Sequence, residues 1–328
     1  MSVADEAIRT GERDELRGEL GAAVTTYERL LASGEPDTVA EAHFRLGRVA
    51  WRQGRYDDAL AHYSASSALA TSRGLVNLEA RVENGIGAVH YARGAYAQAR
   101  ASYGRAQELA SDDPALRGKV FLNLGVIANI EGNLDAARAE YARSEAAFAE
   151  AGDDAGRALV LHNLGMINAD LELWDEAAES YAACLLLCER QGNKQMVANV
   201  LLNQSELQIA AGRHELAVVH CERAMIIYAD LGDEPGRGDA LRSRSRAHRM
   251  LGRLDEAAAD ATEALRSAIR LEARLLEAEA TRELGLIERD RRRDEAAAAL
   301  LDRALALFTA LGAAREVREL RAEIEASG

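Results

Sequence analysis

The chain has 328 residues, of which 48% are hydrophobic but only 5% aromatic, with three prolines in all. It can therefore bury a large core, and the scarcity of proline fits long helices, which proline breaks. A formal net charge of -14 argues against nucleic acid as a partner, because that binding rests on concentrated positive charge. No stretch approaches the ~18 consecutive apolar residues of a membrane span, so no membrane association is expected. The opening segment MSVADEAIRTGERDE is charged and lacks an apolar stretch, which speaks against a secretory signal and for a cytoplasmic protein. Cys184, Cys188 and Cys221 form no CxxC pair and fit a reducing compartment.

In chain order the sequence repeats one cadence of small residues and a tyrosine. The stretch 1–34 carries Gly11, Gly18, Ala23 and Tyr27, at offsets of seven, five and four residues. The offsets return in 38–72 with Gly47, Gly54, Ala59 and Tyr63, and in 78–111 with Gly87, Gly94, Ala99 and Tyr103. They return again in 116–151 with Gly125, Gly132, Ala137 and Tyr141, and in 156–192 with Gly165, Glu172, Ala177 and Tyr181. The pattern then relaxes: Ser205, Gly212, Ala217 and Cys221 in 196–232; Ser245, Gly252, Ala257 and Ala261 in 236–270; Gly285, Arg292, Ala297 and Leu301 in 276–312.

Each spacing has a structural meaning. Between the two glycines the apolar residues sit at helical intervals, and the second glycine marks a sharp turn into a helix that opens on acidic residues. Each unit therefore reads as a helical hairpin. The first glycine and the fixed alanine belong where two helices approach closely, and the tyrosine fills the space toward the next hairpin with its hydroxyl left in water. Ala313 to Ala326 is amphipathic, with Val317, Leu320 and Ile324 on one side, as a cap over the last hairpin requires. The weakest boundary lies near Arg270 to Arg274, where the turn is either tight or absent.

This cadence resembles the tetratricopeptide repeat, which places small residues at its eighth, twentieth and twenty-seventh positions and an aromatic at the twenty-fourth. Ala106, Ala224, Ala264 and Ala304 match the twenty-seventh position, with Ser66, Ser144 and Cys184 as small substitutes. The common unit is about 34 residues long and ends in proline, whereas most units here repeat at 40 and are joined by links such as Ala151-Gly152-Asp153-Asp154 and Leu231-Gly232-Asp233-Glu234. The longer form is similar to the repeats of kinesin light chains, spindle-orientation adaptors and bacterial regulatory proteins. The resemblance implies an all-α, right-handed superhelical solenoid of about eight antiparallel hairpins over 1–312, with a capping helix and tail over 313–328.

The resemblance also implies that the second, fifth, sixth, ninth, twelfth and thirteenth positions of each first helix face a concave groove. The sixth reads Asn123, Asn163 and Asn203 in three successive repeats. Asparagine is a middling helix former, but its amide both donates and accepts, matching an extended peptide backbone. In the kinesin light chain and adaptor relatives, asparagines at this place hold a bound peptide's main chain. The alternative is a bond to the neighbouring helix. Groove positions from the second repeat onward carry ten basic and seven acidic residues. Arg45, Arg48, Arg52, Arg81 and Lys119 form one basic cluster, and Arg242, Arg246, Arg249 and Arg282 another. Arginine pairs bidentately with carboxylates, so these suit an acidic segment; the alternative is a general scatter of surface arginines. Trp51, Tyr91, Met166 and Ile209 stand as candidate apolar pockets.

No catalytic constellation emerges. Gly85 and Gly87 belong to the repeat and follow no strand, and His162 and Asp170 have no nucleophile beside them. Cys184 and Cys188 with His220 or His214 could make a metal pair, although small buried core residues fit these cysteines better. The sequence thus predicts a non-catalytic scaffold, without cofactor, that binds an extended acidic peptide. The rival is a ligand-sensing regulator whose change of shape controls a separate effector, and self-association is a third reading.

Overall fold

The protein is described by a computed structural model that covers residues 3–110 and 112–325. The first hairpin's opening residues, position 111 and the tail beyond 325, with Ala326, lie outside the described residues. The described residues hold seventeen α-helices and no strand. They are α1 (Val3–Leu16), α2 (Leu20–Leu31), α3 (Pro36–Arg52), α4 (Tyr56–Arg73), α5 (Val76–Ala92), α6 (Tyr96–Leu109), α7 (Pro114–Ile130), α8 (Leu134–Ala151) and α9 (Asp154–Asp170). There follow α10 (Trp174–Gln191), α11 (Lys194–Ala210), α12 (His214–Leu231), α13 (Glu234–Met250), α14 (Leu254–Arg270), α15 (Arg274–Asp290), α16 (Asp294–Ala310) and α17 (Ala314–Glu325). The chain forms two compact units, Met1–Val160 and Leu161–Gly328.

Within each unit the helices pack as successive antiparallel pairs, such as α3 with α4, α7 with α8, α11 with α12 and α15 with α16. Nearly all the turns are closed by a residue with left-handed backbone, which keeps them short. Gly54 and Gly212, both at φ 72°, do so without strain. Glu172, Glu272 and Arg292 adopt φ of 59°, 54° and 58° in the same role although their side chains resist it. Glu272 also settles the uncertain boundary, since α14 stops at Arg270 and a tight turn leads into α15. The links that replace the family's proline cap the next helix. Asp153 and Asp233 each accept from the backbone N–H three residues on, at 2.9 Å, and Asn193 does likewise at 3.1 Å.

The fixed alanines are core: Ala23, Ala59, Ala99, Ala137, Ala177, Ala217 and Ala257 are wholly buried. In the five cadences that end in tyrosine, the first glycine lies under the ring. A Cβ on Gly47 would stand 2.8 Å from Tyr63, and one on Gly165 would stand 2.4 Å from Tyr181. Tyr63 also presses on Gly85 of the following hairpin, where a Cβ would stand 2.7 Å from the ring. The ring therefore bridges hairpins as expected, but its hydroxyl is not in water. Tyr27, Tyr63, Tyr103, Tyr141 and Tyr181 are at most 3% exposed, Tyr27 Oη donates to the buried Glu15 carboxylate at 2.7 Å, and burial pushes the Tyr141 phenol up to about 12. Where the first-helix residue grows to Ser205 or Ser245, the tyrosine shrinks to Cys221 or Ala261, so no ring demands a bare backbone beneath it. Ser66 and Ser144, the small substitutes at the twenty-seventh position, donate to the carbonyls of Ala40 and Gly118 at 2.8 and 2.6 Å.

In the second unit α17 packs on α16. Leu320 is wholly buried in a cluster with Leu301, Ala304 and Phe308, with Val317 and Ile324 beside it. No helix of the described residues is long and apolar enough to cross a membrane.

Candidate functional site

First helices touch one another within each unit: α1 with α3, α3 with α5, α11 with α13, and α13 with α15. Among the described residues no two second helices make comparable contact. Each stack is thus tighter on its first-helix side, which makes that face the inner one.

In the first unit this face carries a network of charges. Glu41 accepts from Arg45 at 2.5 Å and from Arg81 through two bonds of 2.9 and 3.0 Å. Arg45 also pairs with Glu12. Burial pushes the Glu41 carboxyl up, but Arg81 and Arg45 outweigh it and hold the carboxyl below its ordinary range. Glu15, only 3% exposed, takes Arg48 at 2.6 Å and Arg52 at 3.5 Å. Arg81 lies over the Phe44 ring, its guanidinium carbon 4.2 Å from the centroid. Lys119 is exposed and has no ion pair among the described residues. Asn123 is half-buried, and its Nδ2 donates to Asn84 Oδ1 on α5 at 3.0 Å.

In the second unit the inner face begins with amides. Asn203 on α11 places Nδ2 2.9 Å from His162 Nε2 on α9. Burial lowers the His162 pKa from its ordinary value, so the imidazole is neutral at pH 7. Charge follows on α13 and α15. Glu206 pairs with Arg242 at 3.2 Å and Arg246 at 3.3 Å and accepts from Ser243 at 2.5 Å. Burial raises the Glu206 carboxyl, but the two arginines and Ser243 more than reverse that and hold it low. Arg249 binds Glu283 at 2.6 Å and Asp290 at 3.2 Å, and Arg282 binds Glu323 of α17 with Nε at 3.0 Å. Arg242 Nε faces Glu279 at 3.3 Å without hydrogen-bond alignment, and burial pushes the Glu279 carboxyl up. Arg242, Arg246, Arg249, Arg282 and Arg315 surround a cavity of about 320 Å³ with Glu279, Glu283, Glu319 and Glu323.

The structure therefore brings the arginines together in the two groups that the sequence marks, but pairs them with the chain's own carboxylates. Glu41, Glu206, Glu279 and Glu283 are among the seven acidic groove residues, where residue type marks opposing charge and not partnership, and Glu12, Glu15, Glu319, Glu323 and Arg315 lie outside the groove positions of the second to eighth repeats. A signal was present: each arginine has a carboxylate about one period away, as in Glu15 and Arg48, 33 apart, or Glu41 and Arg81, 40 apart. Trp51, Tyr91 and Met166 are partly exposed at 37%, 38% and 43%, whereas Ile209 is core, 5% exposed among Ala217, Val218 and Ala247. Cys184 and Cys188 are buried with sulfurs 3.8 Å apart, and burial pushes the Cys184 thiol up to about 12. No group of three or more metal-ligating side chains is arranged to hold an ion among the described residues.

The sequence matches the profile of the tetratricopeptide repeat over 38–112, 156–225 and 196–270, more than half of the chain. The chain belongs to the tetratricopeptide repeat family. Comparison with curated proteins gives no match. Among solved tetratricopeptide-like folds, the apo form of RapI is similar at 12% identity and a TM-score of 0.79, covering 94% of this chain and 87% of that one. A Rap protein complexed with competence and sporulation factor is similar at 12% identity and a TM-score of 0.58, covering 99% of each chain. A signal transduction ATPase with a tetratricopeptide repeat sensor, from Pyrococcus horikoshii, gives 14% identity and a TM-score of 0.75 over 97% of this chain. The present chain spans half of that protein's length. At such identities these likenesses concern the fold.

Proposed function

We propose that this tetratricopeptide repeat protein is a non-catalytic interaction scaffold that holds an extended, acidic segment of a protein partner against its first-helix face, in a reducing, cytoplasmic setting. Asn123 in the first unit and Asn163 and Asn203 in the second hold the peptide backbone. The arginines and Lys119 engage its carboxylates. The observation that carries this reading is the state of the amides. Asn123 and Asn203 are half-buried on the inner face, and each spends one donor on the preceding first helix. A side-chain amide has two donors and two acceptor lone pairs, so one such bond leaves capacity for a peptide group. The inward bond fixes the amide's direction, which lowers the entropy lost on binding. The likeness to a Rap protein solved with competence and sporulation factor supports a ligand on this fold.

The test is an array of acidic 12-residue peptides probed with the wild type and with Asn123→Ala combined with Asn163→Ala. Two lost hydrogen bonds at about 0.5–1.5 kcal/mol each predict a roughly 5- to 150-fold weaker Kd. Unchanged affinity in the double variant rejects the reading. A sensor that changes shape on binding a small ligand is the rival reading, supported by the likeness to the sensor-bearing ATPase of Pyrococcus horikoshii. It predicts a ligand-dependent change in small-angle scattering, which the scaffold does not require.

A further inference from the structure

We infer that His162 is a positioning residue for the second unit's peptide site, holding the Asn203 amide so that its carbonyl oxygen turns toward a ligand. The inference rests on the reading of Asn203 as a backbone-holding group and specifies which half of its amide is offered.

The geometry leaves few choices. Asn203 Nδ2 lies 2.9 Å from His162 Nε2. An amide nitrogen can only donate, so Nε2 must accept and carry no proton. A neutral imidazole then holds its proton on Nδ1. The Tyr181 ring stands beside it, with the two centroids 6.4 Å apart. Burial keeps the ring uncharged. With its NH2 group committed to His162, Asn203 turns Oδ1 away from the histidine, as an acceptor for a peptide N–H.

The first test needs no ligand. The 15N spectrum of histidine-labelled full-length protein at pH 7.5, with the signal assigned by its loss in His162→Gln, reads the protonation of each ring nitrogen. We expect a neutral ring protonated on Nδ1. A ring protonated on Nε2 overturns the inference, because Asn203 would then have to turn its oxygen inward. The second test uses the tightest-binding member of the acidic peptide array. His162→Gln keeps one acceptor and one donor at comparable reach and should bind within about two-fold of wild type. His162→Leu keeps bulk but neither polar atom and, with the Asn203 amide set free, should bind roughly 2- to 12-fold more weakly. Circular dichroism confirms that both variants fold, and equal binding by His162→Leu and wild type overturns the inference. If no peptide binds the wild type, the scaffold reading fails, and the ring spectrum still decides the placement of the Asn203 amide.

Discussion

The contact between the first-helix glycine and the second-helix tyrosine predicts a sharp coupling at Gly165 and Tyr181. In Gly165→Ala the new Cβ would stand 2.4, 2.5 and 2.8 Å from Tyr181 Cε1, Cδ1 and Cζ, where carbon atoms rest at about 3.5–4.0 Å. The ring must shift by roughly an ångström in a site where Tyr181 is only 3% exposed. Overpacking of this kind costs about 1–3 kcal/mol, against about 1 kcal/mol gained by replacing glycine with alanine inside a helix. The net effect is a loss of up to ~2 kcal/mol. In a Tyr181→Cys background, which copies the arrangement at Ser205 and Cys221, the Cβ has room and the same substitution should stabilise by up to ~1 kcal/mol. The coupling is therefore about 1–3 kcal/mol. Repeat arrays need not unfold as one unit, so the readout is amide hydrogen exchange along α9 and α10 together with the urea midpoint. An effect of Gly165→Ala that agrees in the two backgrounds within about 0.5 kcal/mol refutes the packing argument.

Two further predictions concern the turns and the histidines. Glu172→Gly and Arg292→Gly relieve left-handed backbone at φ 59° and 58°, and each should raise stability by about 0.5–1 kcal/mol, read as a higher melting temperature; a lower one contradicts the strain. His43 and His62 face each other with Nδ1 atoms 3.0 Å apart, and both are held below the ordinary histidine pKa of 6.5, His43 by burial and by His62, and His62 chiefly by burial. A folded pKa below the unfolded one means that the unfolded chain takes up protons first. Their stabilisation is thus complete above about pH 6.5 and is lost as pH falls through the lowered folded values. Urea midpoints at pH 7.5 and 5 should differ less in His43→Gln with His62→Gln than in wild type, and equal differences would remove the pair from the acid response.

The fold was largely legible because its determinants are local and repeated. Gly47, Ala59 and Tyr63 recur at fixed offsets since a helical hairpin permits few other arrangements of small and large residues at its crossing. The turn at Glu272 was not legible, as nothing in the residue type announces left-handed backbone and the surrounding packing imposes it. The tyrosine hydroxyls were misplaced because side-chain chemistry alone does not reveal that stacking covers both ring faces. At the inner face, residue types could nominate Asn123, Asn203 and the arginines. What each one bonds to depends on residues one repeat away, and Arg48 meets Glu15 only after the hairpins stack.

That pairing changes what the two basic clusters can do. An arginine shared with an internal carboxylate is not discharged, since a guanidinium has five N–H donors and rarely uses them all. The local balance nevertheless decides which cluster attracts an acidic segment. Among the described residues of the first unit, Arg45, Arg48, Arg52 and Arg81 meet only Glu12, Glu15 and Glu41, and the exposed Lys119 adds a cation with no ion pair. In the second unit Arg242, Arg246, Arg249 and Arg282 are met by Glu206, Glu279, Glu283, Asp290, Glu319 and Glu323, so carboxylates outnumber guanidiniums even when Arg315 is counted. An incoming carboxylate there must displace an internal one from a half-buried bond, and its attraction to arginine is offset by repulsion from the carboxylates that remain. Under the proposed scaffold function, acidic side chains of a partner would therefore fit best against α3, α5 and α7, and the second unit would contribute mainly through the neutral amides of Asn163 and Asn203.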